Sequence, residues 1–138
     1  MYRILWIEDE GKIELSQFAT PLRRAGYLVD IAADAAEAIR LLKEKRYDAL
    51  IIDLVLPPGT GFETEEYYVG LELLRQIIHG EIKGISVYKP SQIMVFTVIN
   101  DPGIHKRIRS YGVDRILHKR LTELTELKNW VDGILLSA

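Results

Sequence analysis

The 138-residue chain contains no cysteine. That absence removes disulfides, thiolate zinc sites and cysteine nucleophiles together, and leaves carboxylate, hydroxyl and amine chemistry. Any metal bound here is a hard, oxygen-ligated one. No run of about 18 apolar residues occurs, so no segment reads as a membrane-spanning helix. The N-terminus passes from Met1-Tyr2-Arg3 directly into Ile4-Leu5-Trp6-Ile7 rather than through a charged leader. A cytoplasmic protein with no membrane partner is expected. An excess of one charge sign is also missing. The formal net charge is −2, which gives no basic field for a nucleic-acid backbone, so no direct nucleic-acid partner is expected. Repeats, low-complexity tracts and linkers are lacking too. One domain over residues 1–138 is the expectation, without an output domain, since the last helix should end near Leu136.

What is present is 48% hydrophobic residues, enough for one sizeable core. Short apolar runs alternate with segments of helical period. Ile4-Leu5-Trp6-Ile7, Leu28-Val29, Ala49-Leu50-Ile51-Ile52, Ile93-Met94-Val95-Phe96 and Ile116-Leu117 read as strands. Strands with helices between them imply parallel crossovers and a doubly wound α/β fold. The second helix is the clearest, with Asp34 and Glu37 placed as a capping box ahead of Ala35, Ala38, Ile39 and Leu42. Leu71, Leu74 and Ile78 give a third helix its apolar stripe, and Leu124, Leu127, Val131 and Ile134 give one to the last. Pro21, inside the segment from Ile13 to Ala25, should kink or split the first helix.

In such a sheet the site lies beyond the carboxyl ends of the strands. That rule selects Glu8-Asp9-Glu10 after the first strand, Asp53 after the third, Thr97 ending the fourth and His118-Lys119 ending the fifth. Each alone has a structural reading: carboxylates opposite a helix dipole, Asp53 as a cap or turn residue, Thr97 as a strand former, Lys119 as a solvated amine. Their joint placement at one rim points to chemistry. Clustered carboxylates are costly to hold ionised without a divalent cation, which makes Mg²⁺ the natural occupant. Phosphoryl transfer to a carboxylate needs mainly positioning and charge stabilisation, which Lys119 and Thr97 would supply with Asp53 as nucleophile.

The ordered set Ile4 through Glu10, Asp53-Leu54-Val55-Leu56-Pro57, Thr97, and Tyr111-Gly112-Val113-Asp114 through Lys119 resembles the receiver domain of two-component response regulators. Gly26-Tyr27 and Gly70-Leu71-Glu72-Leu73-Leu74 add to it, and the resemblance covers essentially the whole chain. It implies a five-stranded parallel sheet in order 2-1-3-4-5 and a CheY-like receiver fold. It implies phosphorylation of Asp53 by a histidine kinase or phosphotransfer protein, which switches affinity for a downstream protein target. By the same match Glu8 and Asp9 are the acidic pair for Mg²⁺, with Asp53 and the Val55 backbone carbonyl completing the protein's share. Thr97 and Lys119 take the switch-hydroxyl and phosphoryl-binding roles. A receiver of this kind catalyses at most its own phosphorylation and dephosphorylation.

Departures from the family pattern are specific. Glu8 stands where an Asp is usual, Val98 where a small residue is usual, and Ile116 where many members have an aromatic. Arg120 follows Lys119 where the family has a cis proline. A non-proline cis bond costs roughly 3–4 kcal/mol, so a trans peptide is expected. An insertion of about nine residues lies at about 58–69, where a short turn is the norm. Pro57-Pro58-Gly59-Thr60-Gly61 reads as loop, whereas Thr64, Tyr67, Tyr68 and Leu71 could extend the third helix backwards. The insertion is either a tolerated surface loop or a contact element beside the site. Basic residues cluster from Lys106 to Arg120 and acids, Glu63, Glu65 and Glu66, in the insertion. The first reads mostly as a solvated face, but it is also the face the family uses for partners and for a homodimer.

Two other functions stay open at this level. One is a receiver-like interaction module that no longer uses phosphorylation, favoured by Val98, Arg120 and Ile116 and opposed by Asp53, Thr97 and Lys119. The other is a small aspartyl phosphatase, which commonly needs a second carboxylate where Val55 stands. His79, His105 and His118 are scattered and read as surface or capping residues.

Overall fold

The computed structural model describes residues 1–9 and 16–136, apart from the side chains of Ser16 and Leu124. Expectations for Glu10, Ile13 and the Leu124 side chain lie outside the described residues. The order of elements is β1 (Arg3–Ile7), α1 (Ser16–Arg24), β2 (Leu28–Ala32), α2 (Ala35–Glu44), β3 (Ala49–Ile52), α3 (Val69–Ile78), a 3-10 turn (Pro90–Gln92), β4 (Ile93–Thr97), α4 (Pro102–Ser110), β5 (Arg115–His118) and α5 (Leu124–Leu136). The strands form one parallel sheet in the order β2-β1-β3-β4-β5, the expected doubly wound arrangement.

The central strands are apolar on both faces because helices cover both. Alternation along them divides the core. Leu5, Ile7, Leu50, Ile52, Ile93 and Val95 face α2, α3 and α4. Ile4, Trp6, Ala49, Ile51, Met94 and Phe96 face α1 and α5. The Asp34 side chain caps α2 by accepting from the Glu37 amide at 2.7 Å, and Ala35, Ala38 and Leu42 are buried as the stripe requires. In α5, Leu127, Val131 and Ile134 are buried.

Two expectations need correction. Pro21 does not split α1, which is one helix from Ser16 to Arg24. A proline there removes a single amide bond, and burial of Phe18, Ala19 and Leu22 against the sheet holds the helix across it. Nor does α3 extend backwards. Tyr68 is its N-cap, with φ −91° and ψ 98°, and the Thr64 hydroxyl accepts from the Glu66 amide at 3.0 Å. That local bond makes a turn in competition with helix.

The insertion is nonetheless built in. The carbonyls of Pro57 and Pro58 accept from Ala35 N and Ala36 N, each at 3.0 Å, using first-turn amides of α2 that have no partner within that helix. Gly59 crosses so near the cap that a Cβ would fall 2.6 Å from Asp34 Oδ1, at a φ of +74°. Phe62 is buried in the core between α2 and α3. At its far end Glu66 pairs with Arg107 of α4 at 3.1 Å.

Candidate functional site

The sheet ladder runs one residue past three strands, and this places the candidate residues. Glu8 N donates to Ala32 O at 2.8 Å, Asp53 N to Ile7 O at 3.0 Å, and Lys119 N to Thr97 O at 3.0 Å. Each of these residues therefore leaves the sheet with its backbone still fixed, at the carboxyl end that the topology favours for ligands.

Their side chains converge. Lys119 Nζ donates to Asp53 Oδ2 at 2.6 Å and pairs with Glu8 Oε2. Glu8 is fully buried, and Asp53 and Lys119 are nearly so, while Asp9 is exposed. One carboxylate oxygen from each of Glu8, Asp9 and Asp53 lies within 4.8 Å of the others. One ammonium facing three carboxylates leaves the cluster short of positive charge, and that chemistry fits a hard cation. Burial works against the Lys119 ammonium, but its hydrogen bonds to Asp53 and Glu8 outweigh this and hold its pKa above the ordinary lysine value.

Thr97 is fully buried at the end of β4. Its Oγ1 accepts from Ile99 N at 3.3 Å, so the hydroxyl is engaged with its own loop. The Val55 amide donates to Asp53 Oδ1 at 3.2 Å, which draws Val55 close to the carboxylate. The peptide before Arg120 is trans, as expected. Lys119 still reaches both carboxylates, while Arg120 N donates to His118 Nδ1 at 3.1 Å. Ile116 is half-buried against the core of α2 to α4. His105 Nε2 hydrogen-bonds the Ile99 carbonyl at 3.0 Å, and the His79 amide caps α3, both structural uses.

Sequence reasoning missed what α3 does here. Gly70 N donates to Leu54 O at 3.1 Å, and a Cβ on Gly70 would lie 1.8 Å from the Asp53 carbonyl oxygen. The helix start thus presses on the backbone of the candidate acceptor. A glycine in the first turn of an apolar helix was the available signal.

Comparison with known proteins agrees with this arrangement. The chain matches the response regulator receiver domain family over residues 4–132. It is 39% identical over 61 residues to the transcriptional regulatory protein TcrA of Mycobacterium tuberculosis, covering 44% of this chain and 24% of that protein. To the sensor histidine kinase AruS of Pseudomonas aeruginosa it is 29% identical over 100 residues, covering 72% of this chain and 9% of that one. The chain spans less than a third of the length of these curated relatives. Among solved structures, a two-component response regulator of the LuxR family from Aurantimonas aligns with TM-score 0.69 and 27% identity over 98% of this chain and 85% of that one. The receiver domain of the Francisella response regulator 1452 aligns with TM-score 0.74 and 20% identity over 99% and 98%, a likeness of fold. No helix among the described residues is long and apolar enough to cross a membrane. Since the family match runs through nearly the whole chain and the sheet has the strand order that the resemblance implied, the chain belongs to the response regulator receiver domain family.

Proposed function

We propose that this chain is a single receiver domain that accepts a phosphoryl group on Asp53 and thereby switches its affinity for a protein partner. The observation that carries the reading is the convergence of Lys119 on Asp53 and Glu8 at the buried end of the sheet. Asp53 is the nucleophile. Lys119, already charged and aimed at its carboxylate, would meet the incoming phosphoryl oxygens without reorganisation. Thr97, whose hydroxyl oxygen accepts from the Ile99 amide, would donate its O–H to a phosphoryl oxygen and so link the loop after β4 to the modified site.

Glu8, Asp9, Asp53 and the Val55 carbonyl would hold Mg²⁺, and the ion when bound supplies neutralisation of the carboxylates and of the charge on the transferred group. A phosphoryl group adds roughly −1.5 to −2 charge and strong acceptor oxygens, enough to bias a two-state surface.

The donor is a phosphohistidine in a histidine kinase or phosphotransfer protein. Exposed apolar side chains in the loops after three strands, Val55, Val98 and Leu121, support docking of a protein over the acceptor. A downstream protein target or a second copy of the chain would read the switch, in the cytoplasm and without nucleic acid. Val55 and Ile99 offer no polar group to orient an attacking water, so hydrolysis of the acyl phosphate is expected to be slow.

The test is intact mass after incubation with Mg²⁺ and acetyl phosphate, in the parent and in Asp53→Asn. One phosphate adduct in the parent and none in the variant is expected. Absence of an adduct in the parent with acetyl phosphate and with a promiscuous histidine kinase would overturn the reading.

A further inference from the structure

The insertion brings two aromatic rings to the mouth of the acceptor site. Tyr67 and Tyr68 meet edge to face, with centroids 5.0 Å apart and an interplanar angle of 84°. With Asp9, Val55, Leu56 and Pro57 they line a cleft of about 280 Å³. Val55 is the residue whose amide bonds the Asp53 carboxylate, so the cleft adjoins the acceptor on the side open to solvent.

The backbone on either side of Tyr67 is anchored. Gly70 clamps the start of α3 against Asp53 and Leu54, which fixes where the two preceding tyrosines must emerge. Tyr68 packs on the core, and on the other side Glu66 is tied to Arg107. Yet Tyr67 itself is 87% exposed. A large ring fixed at its base and open at its tip, beside a carboxylate site, is suited to contact what approaches that site.

We propose that Tyr67 is a specificity-determining residue of the phosphoryl transfer, its ring receiving the donor's leaving group and favouring the flat imidazole of a phosphohistidine. The inference rests on the reading of Asp53 as phosphoacceptor. In the transfer an Asp53 carboxylate oxygen forms the new P–O bond. The donor's P–N bond breaks with its electron pair going to the ring nitrogen, and the ring, protonated beforehand on its other nitrogen, departs as neutral imidazole. Until the bond breaks, that ring is a planar cation, the kind of group that the face of a tyrosine attracts. The protonated amine that phosphoramidate loses is a cation too, but it has no flat ring to lie against that of Tyr67 and so gains less from it.

The full chain is therefore phosphorylated with Mg²⁺ by monophosphoimidazole and, separately, by phosphoramidate, which releases ammonia, and the rates are read by intact mass. Tyr67→Ala is expected to lower the imidazole-to-ammonia rate ratio roughly two- to tenfold, and Tyr67→Phe to preserve the ratio. An unchanged ratio in Tyr67→Ala overturns the proposal while the Asp53 assignment stands. So does an equal fall in both rates, which would make Tyr67 a structural prop of the loop. If neither donor phosphorylates the parent, this inference falls, and the reading of Asp53 falls as well when acetyl phosphate and a promiscuous histidine kinase also give no adduct.

Discussion

Gly70 and Asp53 lie so close that a Cβ on the glycine would stand 1.8 Å from the carbonyl oxygen of the aspartate. The first turn of α3 and the backbone of Asp53 thus share one packing contact, and a change in either is felt by the other.

Gly70→Ala should force α3 away from Asp53 and cost about 1–3 kcal/mol, as overpacking of a close contact does. Gly133→Ala is the matched control. It lies inside α5 with nothing nearer than 4.0 Å to the added carbon, and should gain about 0.5–1 kcal/mol from helix propensity. Urea denaturation midpoints of the two variants should move in opposite directions.

Lys119→Met leaves Glu8 and Asp53 facing each other without their ammonium. Breaking such a buried arrangement costs about 3–5 kcal/mol, and the loss should be largest in EDTA. Added Mg²⁺ should then stabilise the variant more than it stabilises the parent. Equal Mg²⁺ responses in thermal unfolding would count against a cation in this carboxylate cluster.

Glu66→Gln and Arg107→Gln, with the double variant, close a thermodynamic cycle on the contact between the insertion and α4. Both side chains are partly solvated, so the coupling expected is about 0.2–1 kcal/mol. A coupling indistinguishable from zero would show that the insertion does not restrain α4 through this pair.

The pH dependence of stability should carry two marks of the Tyr27–Asp132 contact between the start of β2 and α5. Burial raises the Asp132 pKa, but the Lys128 and Tyr27 hydrogen bonds prevail and hold it below the ordinary value. Its contribution is present above about pH 4, the unfolded value, and is lost as pH falls through the folded one. Tyr27 is pushed up to about 12 by its hydrogen bond to Asp132, so its contribution is complete below pH 10 and is lost from there towards 12. In melting temperatures scanned across pH, Tyr27→Phe should shrink both the alkaline and the acid loss, the alkaline remainder coming from Tyr47 and Tyr88, which burial also holds above the ordinary tyrosine value.

The sheet was legible because its signals are local. Four apolar residues from Ala49 to Ile52, bounded by Asp48 and Asp53, are too few for a helix and suit a buried strand, and topology then carries Asp53 to the carboxyl rim of the sheet. Lys119 was legible by the same rule, although only the structure shows that a trans peptide before Arg120 still delivers its amine. The insertion was not legible beyond its turn residues. Whether Thr64 begins a helix or closes a turn depends on the Glu66 amide, and no period in the sequence reveals that Pro57 and Pro58 would accept from the first turn of α2. The meaning of Gly70 was hidden for the same reason, since a close approach belongs to two segments rather than one.

Two of the insertion's moorings are of different kinds. Phe62 is held by burial, whereas Glu66 is held to Arg107 by a partly exposed ion pair. Dissolved salt screens the second, over a Debye length of about 8 Å at physiological ionic strength, and does not weaken the first. Rising ionic strength should therefore loosen the Glu66–Arg107 tie alone, while Phe62 on one side and Tyr68, packed on the core before α3, on the other stay in place. The coupling between the insertion and α4 would then vary with the ionic composition of the surrounding solution even though the buried carboxylates of the cluster do not move.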